Sequence, residues 1–134
     1  MKIVILGLSR FGMQFAALAL ASGHQVALID RNPAAFNKLP DSFGATPVLG
    51  SGIDEDVMRK AGVDRADLFV AATDSDNTNL MAAQVAKVVF NIKRSVARVH
   101  DQNNADTFNA LGLIETICPT YSAARTLEQT LPKG

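Results

Sequence analysis

The chain has 134 residues, of which 48% are hydrophobic and only 6% aromatic, and its 13 basic and 13 acidic residues cancel to a formal net charge of zero. This balance argues against an electrostatic interface with nucleic acid or with an anionic membrane surface. No apolar run reaches the roughly 18 residues of a membrane span, so we expect no direct membrane insertion. The single cysteine, Cys118, excludes an intrachain disulfide and fits a reducing cytoplasm.

The first thirty residues carry the pattern of a mononucleotide-binding strand–helix–strand unit. An apolar strand, Lys2–Leu6, is predicted to run into the turn Gly7-Leu8-Ser9-Arg10-Phe11-Gly12 and then into a helix over about Arg10–Ser22. A second strand, Gln25–Asp30, ends on an acid 18 residues after Gly12. Free N–H groups at the start of the helix attract phosphate, and the acid can accept hydrogen bonds from both hydroxyls of an adenosine ribose.

The turn departs at one position from the usual G-x-G-x-x-G pattern. Ser9 stands where the middle glycine normally lets the backbone approach the pyrophosphate closely. The Ser9 hydroxyl can donate to a phosphate oxygen, and Ser9 can also cap the helix N-terminus, which serine does well. The two roles are compatible.

The remaining sequence alternates between β-rich runs and helical patterns. After a short helix at Pro33–Lys38, we predict the strand Thr46–Leu49, the helix Glu55–Ala61, the strand Leu68–Ala72, the helix Asn77–Phe90, the strand Ser95–Val99, the helix Asn104–Leu111, the strand Glu115–Cys118 and the helix Tyr121–Leu131. This alternation predicts an α/β fold, a doubly wound parallel six-stranded Rossmann sheet of order 3-2-1-4-5-6 with helices on both faces. No internal boundary is visible, so we expect one nucleotide-binding domain over 1–134, with a frayed tail at 132–134.

Ligands of such sheets bind beyond the carboxyl ends of the strands, where the strand order reverses. The candidate cofactor-binding residues there are the turn Gly7–Gly12, Asp30 with Arg31, Gly50-Ser51-Gly52, Ala72-Thr73-Asp74, Asn79 and Arg98. No catalytic residue is predicted among them.

A cluster of polar residues near the start of the helix Asn77–Phe90 invites a metal-site interpretation. The cluster comprises Asp74, Asp76, Asn77 and Asn79. Their oxygen atoms suit Mg²⁺ or Ca²⁺, but Asp and Asn also gather at helix N-termini as caps. We favour capping and predict no metal site.

The two histidines, His24 and His100, have no nucleophile or carboxylate partner at a meaningful spacing. Both are therefore predicted to be structural. The last predicted helix carries a stripe of small and apolar residues, Ala123, Ala124, Leu127 and Leu131, which can pack on the chain's own sheet or on a second copy.

The strand ends resemble those of a known family, the N-terminal nucleotide-binding lobe of the regulator-of-potassium-conductance proteins (RCK or KTN, TrkA-N type), over nearly the whole chain. The similar stretches are GLSRFG at Gly7–Gly12, GHQVALID at Gly23–Asp30, AGVDRADLFVAATDSDNTN at Ala61–Asn79, ARVHD at Ala97–Asp101 and LGLIETICPT at Leu111–Thr120. Arg10 after the glycine turn, and the spacing of Thr73, Asp76 and Asn79, separate this family from generic dehydrogenases.

The resemblance implies a cytoplasmic regulatory domain that binds NAD(H), ADP or ATP, with AMP as a further candidate, and that has no enzymatic activity. It implies self-association as a dimer or larger ring and, as a partner, the pore subunit of a potassium transporter or channel in the inner membrane. The family's roles would assign phosphate to Arg10 across a subunit interface, ribose to Asp30, adenine to Arg31, the phosphate or distal nucleoside side to Thr73 and Asn79, and added positive charge to Arg98.

Two features bear on which ligand is bound. Ser9 replaces a glycine, and Ser51-Gly52-Ile53 stands where the family commonly has an acid after the third strand. The Asp30 carboxylate would repel a 2′-phosphate, so we expect NADP to be excluded, although Arg31 beside it could accommodate that phosphate.

Two other functions remain open from the sequence alone. One is the nucleotide lobe of a small NAD-dependent oxidoreductase, which would need a substrate pocket and an acid–base residue. The predicted strands and helices consume the whole chain, and it holds no Tyr-x-x-x-Lys pair. The other is a dimerisation scaffold that binds no nucleotide.

Overall fold

The computed structural model describes all 134 residues and contains six strands and five α-helices. In chain order they are β1 (Lys2–Leu6), α1 (Arg10–Ala21), β2 (Gln25–Asp30), β3 (Thr46–Leu49), α2 (Glu55–Ala61), β4 (Leu68–Ala71), α3 (Asp76–Val88), β5 (Arg94–Arg98), α4 (Gln102–Ala110), β6 (Glu115–Ile117) and α5 (Pro119–Glu128).

All six strands pair in parallel in one sheet of order β3-β2-β1-β4-β5-β6, which confirms the predicted topology. Strand β1 lies between β2 and β4, with Leu6 opposite Ile29 on one side and Ala71 on the other. The chain winds away from β1 in both directions, so the crossovers diverge there. This divergence opens a crevice beyond the carboxyl ends of β1 and β4.

The core consists of two layers, one on each face of the sheet. Alternate side chains of β1 point to opposite faces, as strand geometry requires. Val4 and Leu6 join a buried cluster that also holds Phe69, whereas Ile3 and Ile5 pack in the cluster on the α1 face. Burial of each such side chain contributes about 1.5–3 kcal/mol to folding. The central strands are therefore held rigidly, and their carboxyl ends are fixed in position.

The predicted boundaries differ from those of the structure by at most three residues. Helix α4 illustrates the cause, because it begins at Gln102 rather than at the predicted Asn104. The Asp101 side chain accepts a hydrogen bond from the Asn103 amide at 2.9 Å and so caps the helix N-terminus.

Three short 3₁₀ segments complete the fold. The segment Pro33–Lys38, predicted as a short helix, is a 3₁₀ helix capped by Asn32. The other two, Asp41–Phe43 and Val63–Arg65, were not predicted, because three-residue turns carry no hydrophobic period.

Helix α5 has no buried residue. Leu127 is 67% exposed and Leu131, just beyond the helix, is 61% exposed. The interpretation in which this stripe packs on the chain's own sheet is therefore wrong. Residues 132–134 follow without regular structure. None of the helices combines the length and the hydropathy that crossing a bilayer would demand.

Candidate functional site

A cavity of about 380 Å³ opens at the carboxyl ends of the central strands, in the crevice where the strand order reverses. Ten of the predicted binding residues line it: Gly7, Leu8, Ser9, Asp30, Arg31, Gly50, Ser51, Gly52, Thr73 and Asp74. Six further lining residues were not predicted: Leu6, Asn32, Ala35, Ile53, Ser75 and Thr78. Most of these lie next to predicted ones in the chain, so extending each predicted segment by a residue or two would have found them.

The glycine turn brings two backbone segments close together. Gly7 has a φ of +98°, and a Cβ there would lie 2.8 Å from the backbone of Ala72 and Thr73. A Cβ on Gly12 would lie 2.4 Å from the Gly7 carbonyl oxygen. Both positions therefore require glycine, because the obstructing atoms are backbone atoms that cannot move aside.

Ser9, at the middle position of the turn, has extended backbone (φ −73°, ψ 169°), which any residue adopts. Its Oγ accepts a hydrogen bond from the Gly12 amide at 3.1 Å, so Ser9 is the N-cap of α1. Accepting this bond leaves the hydroxyl proton of Ser9 free to donate. The structure thus shows the capping role, and the geometry is compatible with the phosphate role.

Asp30, at the end of β2, connects two walls of the cavity. Its Oδ2 accepts a hydrogen bond from the Leu8 amide at 3.0 Å, and its Oδ1 accepts one from the Asn32 amide at 2.9 Å. Each carboxylate oxygen has two lone pairs, so each can accept a further hydrogen bond. Asp30 therefore lies directly against the glycine turn, with acceptor capacity left for a ligand.

The β3 end forms the opposite rim. A Cβ on Gly52 would lie 2.2 Å from a methyl group of Leu6, which brings this loop close to β1. Ile53 lines the cavity and is 43% exposed. The rim therefore offers an apolar surface at the segment where the resembled family commonly has an acid.

Asn79 does not line the cavity, although it was predicted to lie on the phosphate or distal nucleoside side. It is fully buried. Its Oδ1 accepts from the Thr73 amide at 2.8 Å and from the Thr73 hydroxyl at 2.6 Å, while its Nδ2 donates to the carbonyls of Thr73 at 3.0 Å and Arg98 at 2.9 Å. With all of these groups engaged inside the protein, Asn79 holds the Thr73 segment against β5.

Arg98 lies behind the same segment rather than in the cavity lining. Arg98 as a whole is only 9% exposed. One terminal nitrogen, Nη2, donates to the Thr73 carbonyl and lies 3.5 Å from Oδ1 of Asp74. Its Nε is buried without a hydrogen-bond partner. Arg98 thus places a positive charge at the edge of the cavity.

Residues 3–119 match the family model of the TrkA-N domain. The chain belongs to the TrkA-N family. It is 38% identical over 134 residues to the Trk system potassium uptake protein TrkA of Streptomyces coelicolor, covering 100% of this chain and 60% of that protein. It is 30% identical over 133 residues to the TrkA homolog of Methanothermobacter thermautotrophicus, covering 99% of this chain and 61% of that protein. This TrkA-N domain therefore spans about three fifths of these relatives.

Three similar solved structures are described as bound to a nucleotide. The Shewanella denitrificans Kef CTD in AMP-bound form is 26% identical with a TM-score of 0.78, covering 95% of this chain and 77% of that one. The GsuK channel bound to NAD is 27% identical with a TM-score of 0.77, covering 95% and 22%. GsuK bound to ADP is 27% identical with a TM-score of 0.76, covering 95% and 32%.

Besides Asn79 and Arg98, four further residues of the predicted site in this TrkA-N domain lie outside the cavity lining: Arg10, Phe11, Gly12 and Ala72. Gly12 and Ala72 are buried, and Phe11 packs against the core cluster on the α1 face. Arg10 is exposed in the first turn of α1 and makes no side-chain hydrogen bond or ion pair within the chain. A cation at a helix N-terminus opposes the helix dipole, so this position is unfavourable without an anion nearby.

His100 has a carboxylate partner, contrary to the prediction. Its Nδ1 lies 2.6 Å from Oδ1 of Asp76, and its backbone amide donates to both Asp76 oxygens at 3.1 and 3.0 Å. Burial would raise the pKa of Asp76, but the hydrogen bonds from the side chain and backbone of His100, together with one from Asn104, outweigh it and hold that pKa below its ordinary value. The pair joins α3 to the end of β5.

Two polar side chains at the start of α3 make hydrogen bonds within the fold. Ser75 caps the helix by accepting from the Thr78 amide at 3.2 Å, and Asp76 pairs with His100. The cap is therefore a serine, two residues before the predicted helix start at Asn77. No group of three or more His, Cys, Asp or Glu side chains is arranged to hold a metal ion.

Proposed function

We propose that this TrkA-N domain binds an adenine nucleotide in the cavity at the carboxyl ends of β1 and β2. The observation that carries the proposal is the contact of the Asp30 carboxylate with the Leu8 amide, 3.0 Å, beside the N-terminus of α1. This contact sets a hydrogen-bond acceptor for ribose next to a helix end for phosphate. Similar structures named as bound to AMP, NAD and ADP support it.

The phosphates would lie at the N-terminus of α1. The amides of Leu8 and Gly12 are already engaged by Asp30 and Ser9, whereas those of Arg10 and Phe11 have no acceptor within the fold. Phosphate oxygens would accept from these amides, and the Ser9 hydroxyl would add a third donor. The positive end of the helix dipole favours the same arrangement.

The ribose and adenine would lie toward β2 and β3. The free lone pairs of Asp30 would accept from the two ribose hydroxyls, and its negative charge would repel the 2′-phosphate of NADP. Arg31 and the exposed apolar side chain of Ile53 line the cavity on that side. We infer that adenine stacks there. NAD(H), ADP, ATP and AMP share this adenosine half.

We further propose a regulatory rather than an enzymatic role. The ionisable groups in the cavity lining are Asp30, Arg31 and Asp74, and both Asp30 and Arg31 are assigned to holding the ligand. The relatives named as Trk potassium uptake proteins support a role in potassium transport. The domain would act at the cytoplasmic face of the membrane on a potassium transporter or channel pore subunit, biasing its gate by binding one assembly geometry better than another.

Self-association would supply those geometries. The uncovered apolar stripe of α5, with Leu127 at 67% exposure, would pack on a second copy of the chain. The exposed Arg10, which makes no side-chain hydrogen bond or ion pair within the chain, would reach a phosphate bound to a neighbouring copy, the role that the family resemblance implies.

Thermal denaturation with millimolar NAD, NADH, ADP, ATP, AMP and NADP tests the nucleotide proposal. A ligand at one hundred times its Kd stabilises by about 2.7 kcal/mol, which raises the Tm of a domain this size by about 10 °C. We expect the adenosine ligands to raise Tm, NADP to leave it unchanged, and NADH to show no turnover. Flat melting curves for all six ligands would favour the scaffold, and NADH oxidation would favour the oxidoreductase.

The matched variants are Asp30→Ala and Asp54→Ala. Both carboxylates accept backbone hydrogen bonds, Asp54 from the Asp56 amide at 2.8 Å, but Asp54 lies outside the cavity lining. Asp30→Ala should abolish most of the ligand-induced rise in Tm, and Asp54→Ala should retain it. Comparing ligand-induced rises rather than absolute Tm values removes the structural contribution of each carboxylate.

A further inference from the structure

An ion pair at the edge of the cavity joins a buried cation to an exposed anion. The Arg98 side chain is 11% exposed and that of Asp74 is 99% exposed, with Nη2 and Oδ1 3.5 Å apart. The Arg98 Nε, also buried, has no hydrogen-bond partner. A guanidinium has five N–H donors. The protein therefore leaves part of the hydrogen-bonding capacity of this cation unused, and Asp74 is its one ion-pair partner.

Asp74 also lines the cavity, as does the neighbouring Thr73. The same carboxylate thus neutralises Arg98 and faces the volume in which ligand phosphates would lie. The N-terminus of α3, a helix of 13 residues, begins just beyond it at Asp76 and adds the positive end of a dipole. An anion arriving here would meet favourable charge from Arg98 and from α3, and repulsion from Asp74.

A phosphate group is a better partner for Arg98 than Asp74 is. Asp74 is fully solvated and lies at 3.5 Å, beyond the 2.7–2.9 Å of a strong charge-assisted hydrogen bond. A phosphate carries more charge and several acceptor oxygens. When a phosphate displaces the Asp74 carboxylate from Arg98, that carboxylate can turn into solvent at little cost, because it makes no other ion pair or hydrogen bond.

We propose that Asp74 serves as an intramolecular counter-anion of Arg98, that the distal phosphate of a nucleotide replaces it, and that Asp74 thereby sets the charge preference of the cavity. This inference rests on the nucleotide binding proposed above. The repulsion from Asp74 grows with the charge of the ligand. Removing the carboxylate therefore strengthens the binding of ADP most, that of AMP less and that of adenosine least.

The test measures Kd by isothermal titration calorimetry for adenosine, AMP and ADP with the wild-type chain, Asp74→Asn and Asp56→Asn. Asp56 is a matched control, since its side chain is 97% exposed and pairs with Arg59 at 3.8 Å, away from the cavity. We expect Asp74→Asn to tighten ADP binding about three- to fivefold, the range of exposed ion pairs, and AMP binding by less. Adenosine binding with this variant, and ADP binding with Asp56→Asn, should stay within about twofold of wild type.

Each other outcome overturns a distinct statement. Unchanged or weaker ADP binding in Asp74→Asn overturns the counter-anion role, as does an equal gain for adenosine or an equal gain in Asp56→Asn. Failure of all three ligands to bind any of the three proteins overturns the proposed nucleotide binding itself, and this inference with it. The substitution changes only a fully exposed side chain, and equal Tm values of the variants in the absence of ligand verify the fold.

Discussion

Asp30 and Leu8, 22 residues apart in the chain, are joined by a 3.0 Å hydrogen bond from the Leu8 amide to the Asp30 carboxylate. The bond ties the end of β2 to the turn after β1 and so links two walls of the cavity. Asp30 therefore has a structural role in the free protein and the proposed ribose role in the complex. Any experiment on Asp30 must separate the two, which is why the ligand-induced change in Tm is the informative quantity.

The first prediction concerns the glycine turn. Gly7→Ala should lower the free energy of unfolding by about 2–4 kcal/mol, because the new Cβ meets the backbone of Ala72 and Thr73 at 2.8 Å in addition to the strain of φ +98°. Gly23→Ala is the control, since Gly23 has a similar φ of +88° but nothing within 4 Å of a Cβ. It should cost only about 1 kcal/mol. Urea denaturation of both variants measures the difference, and equal losses would show that the close approach is relieved by movement.

The second prediction concerns Asn79. Asn79→Ala should destabilise the fold by about 2–4 kcal/mol, because it removes buried hydrogen bonds from the Thr73 amide and the Arg98 carbonyl and leaves the Thr73 carbonyl with Arg98 as its side-chain donor. Asn104→Ala, which removes an exposed amide at 3.4 Å from Asp76, should cost less than about 0.5 kcal/mol. Urea unfolding curves would contradict this interpretation if the two variants lost similar stability.

The third prediction concerns acid stability. The pKa of Asp76 in the folded state is held below its ordinary value of 3.8 by hydrogen bonds from His100 that outweigh the effect of burial. The unfolded state therefore takes up the proton first. The contribution of Asp76 is fully present above about pH 5 and declines as the pH falls through 3.8 and then through the lowered native pKa.

The stability difference between wild type and Asp76→Asn should accordingly be largest at neutral pH and shrink below about pH 4. Urea midpoints measured from pH 7 down to pH 3 provide the check. Asp41→Asn, at an exposed carboxylate, is the control and should change the free energy of unfolding at neutral pH by less than about 0.5 kcal/mol. A difference for Asp76→Asn that grew on acidification would contradict the assigned direction.

The fourth prediction concerns self-association. Leu127→Glu should shift the protein toward monomer and lower the free energy of unfolding of the monomer by less than about 0.5 kcal/mol, because Leu127 is 67% exposed and contributes little burial. Leu18→Glu on α1, where Leu18 is 65% exposed, serves as the control and should leave the oligomeric state unchanged. Sedimentation velocity over a range of concentrations gives both results. Monomeric wild-type protein at every concentration would remove α5 as an interface.

Much of the site was predictable because it depends on local chemistry. The turn after β1 requires glycine at Gly7, the acid ends β2, and both signals lie within the first thirty residues. Ser9 as a helix cap was likewise visible, since capping involves residues three positions apart. The inward direction of Asn79 was not predictable in this way, because its partner Arg98 on β5, 19 residues away, becomes a neighbour only when β4 and β5 pair.

From the sequence alone, the alternation of apolar runs and helical patterns determined the parallel sheet and its order, since right-handed crossovers leave few other topologies. Only the tertiary structure decided which polar side chains face the cavity and which support it. His100 with Asp76, and Arg98 with Asp74, are each 24 residues apart and meet because adjacent strands end at the same edge of the sheet. Such pairings depend on strand register and side-chain direction, which no local pattern encodes.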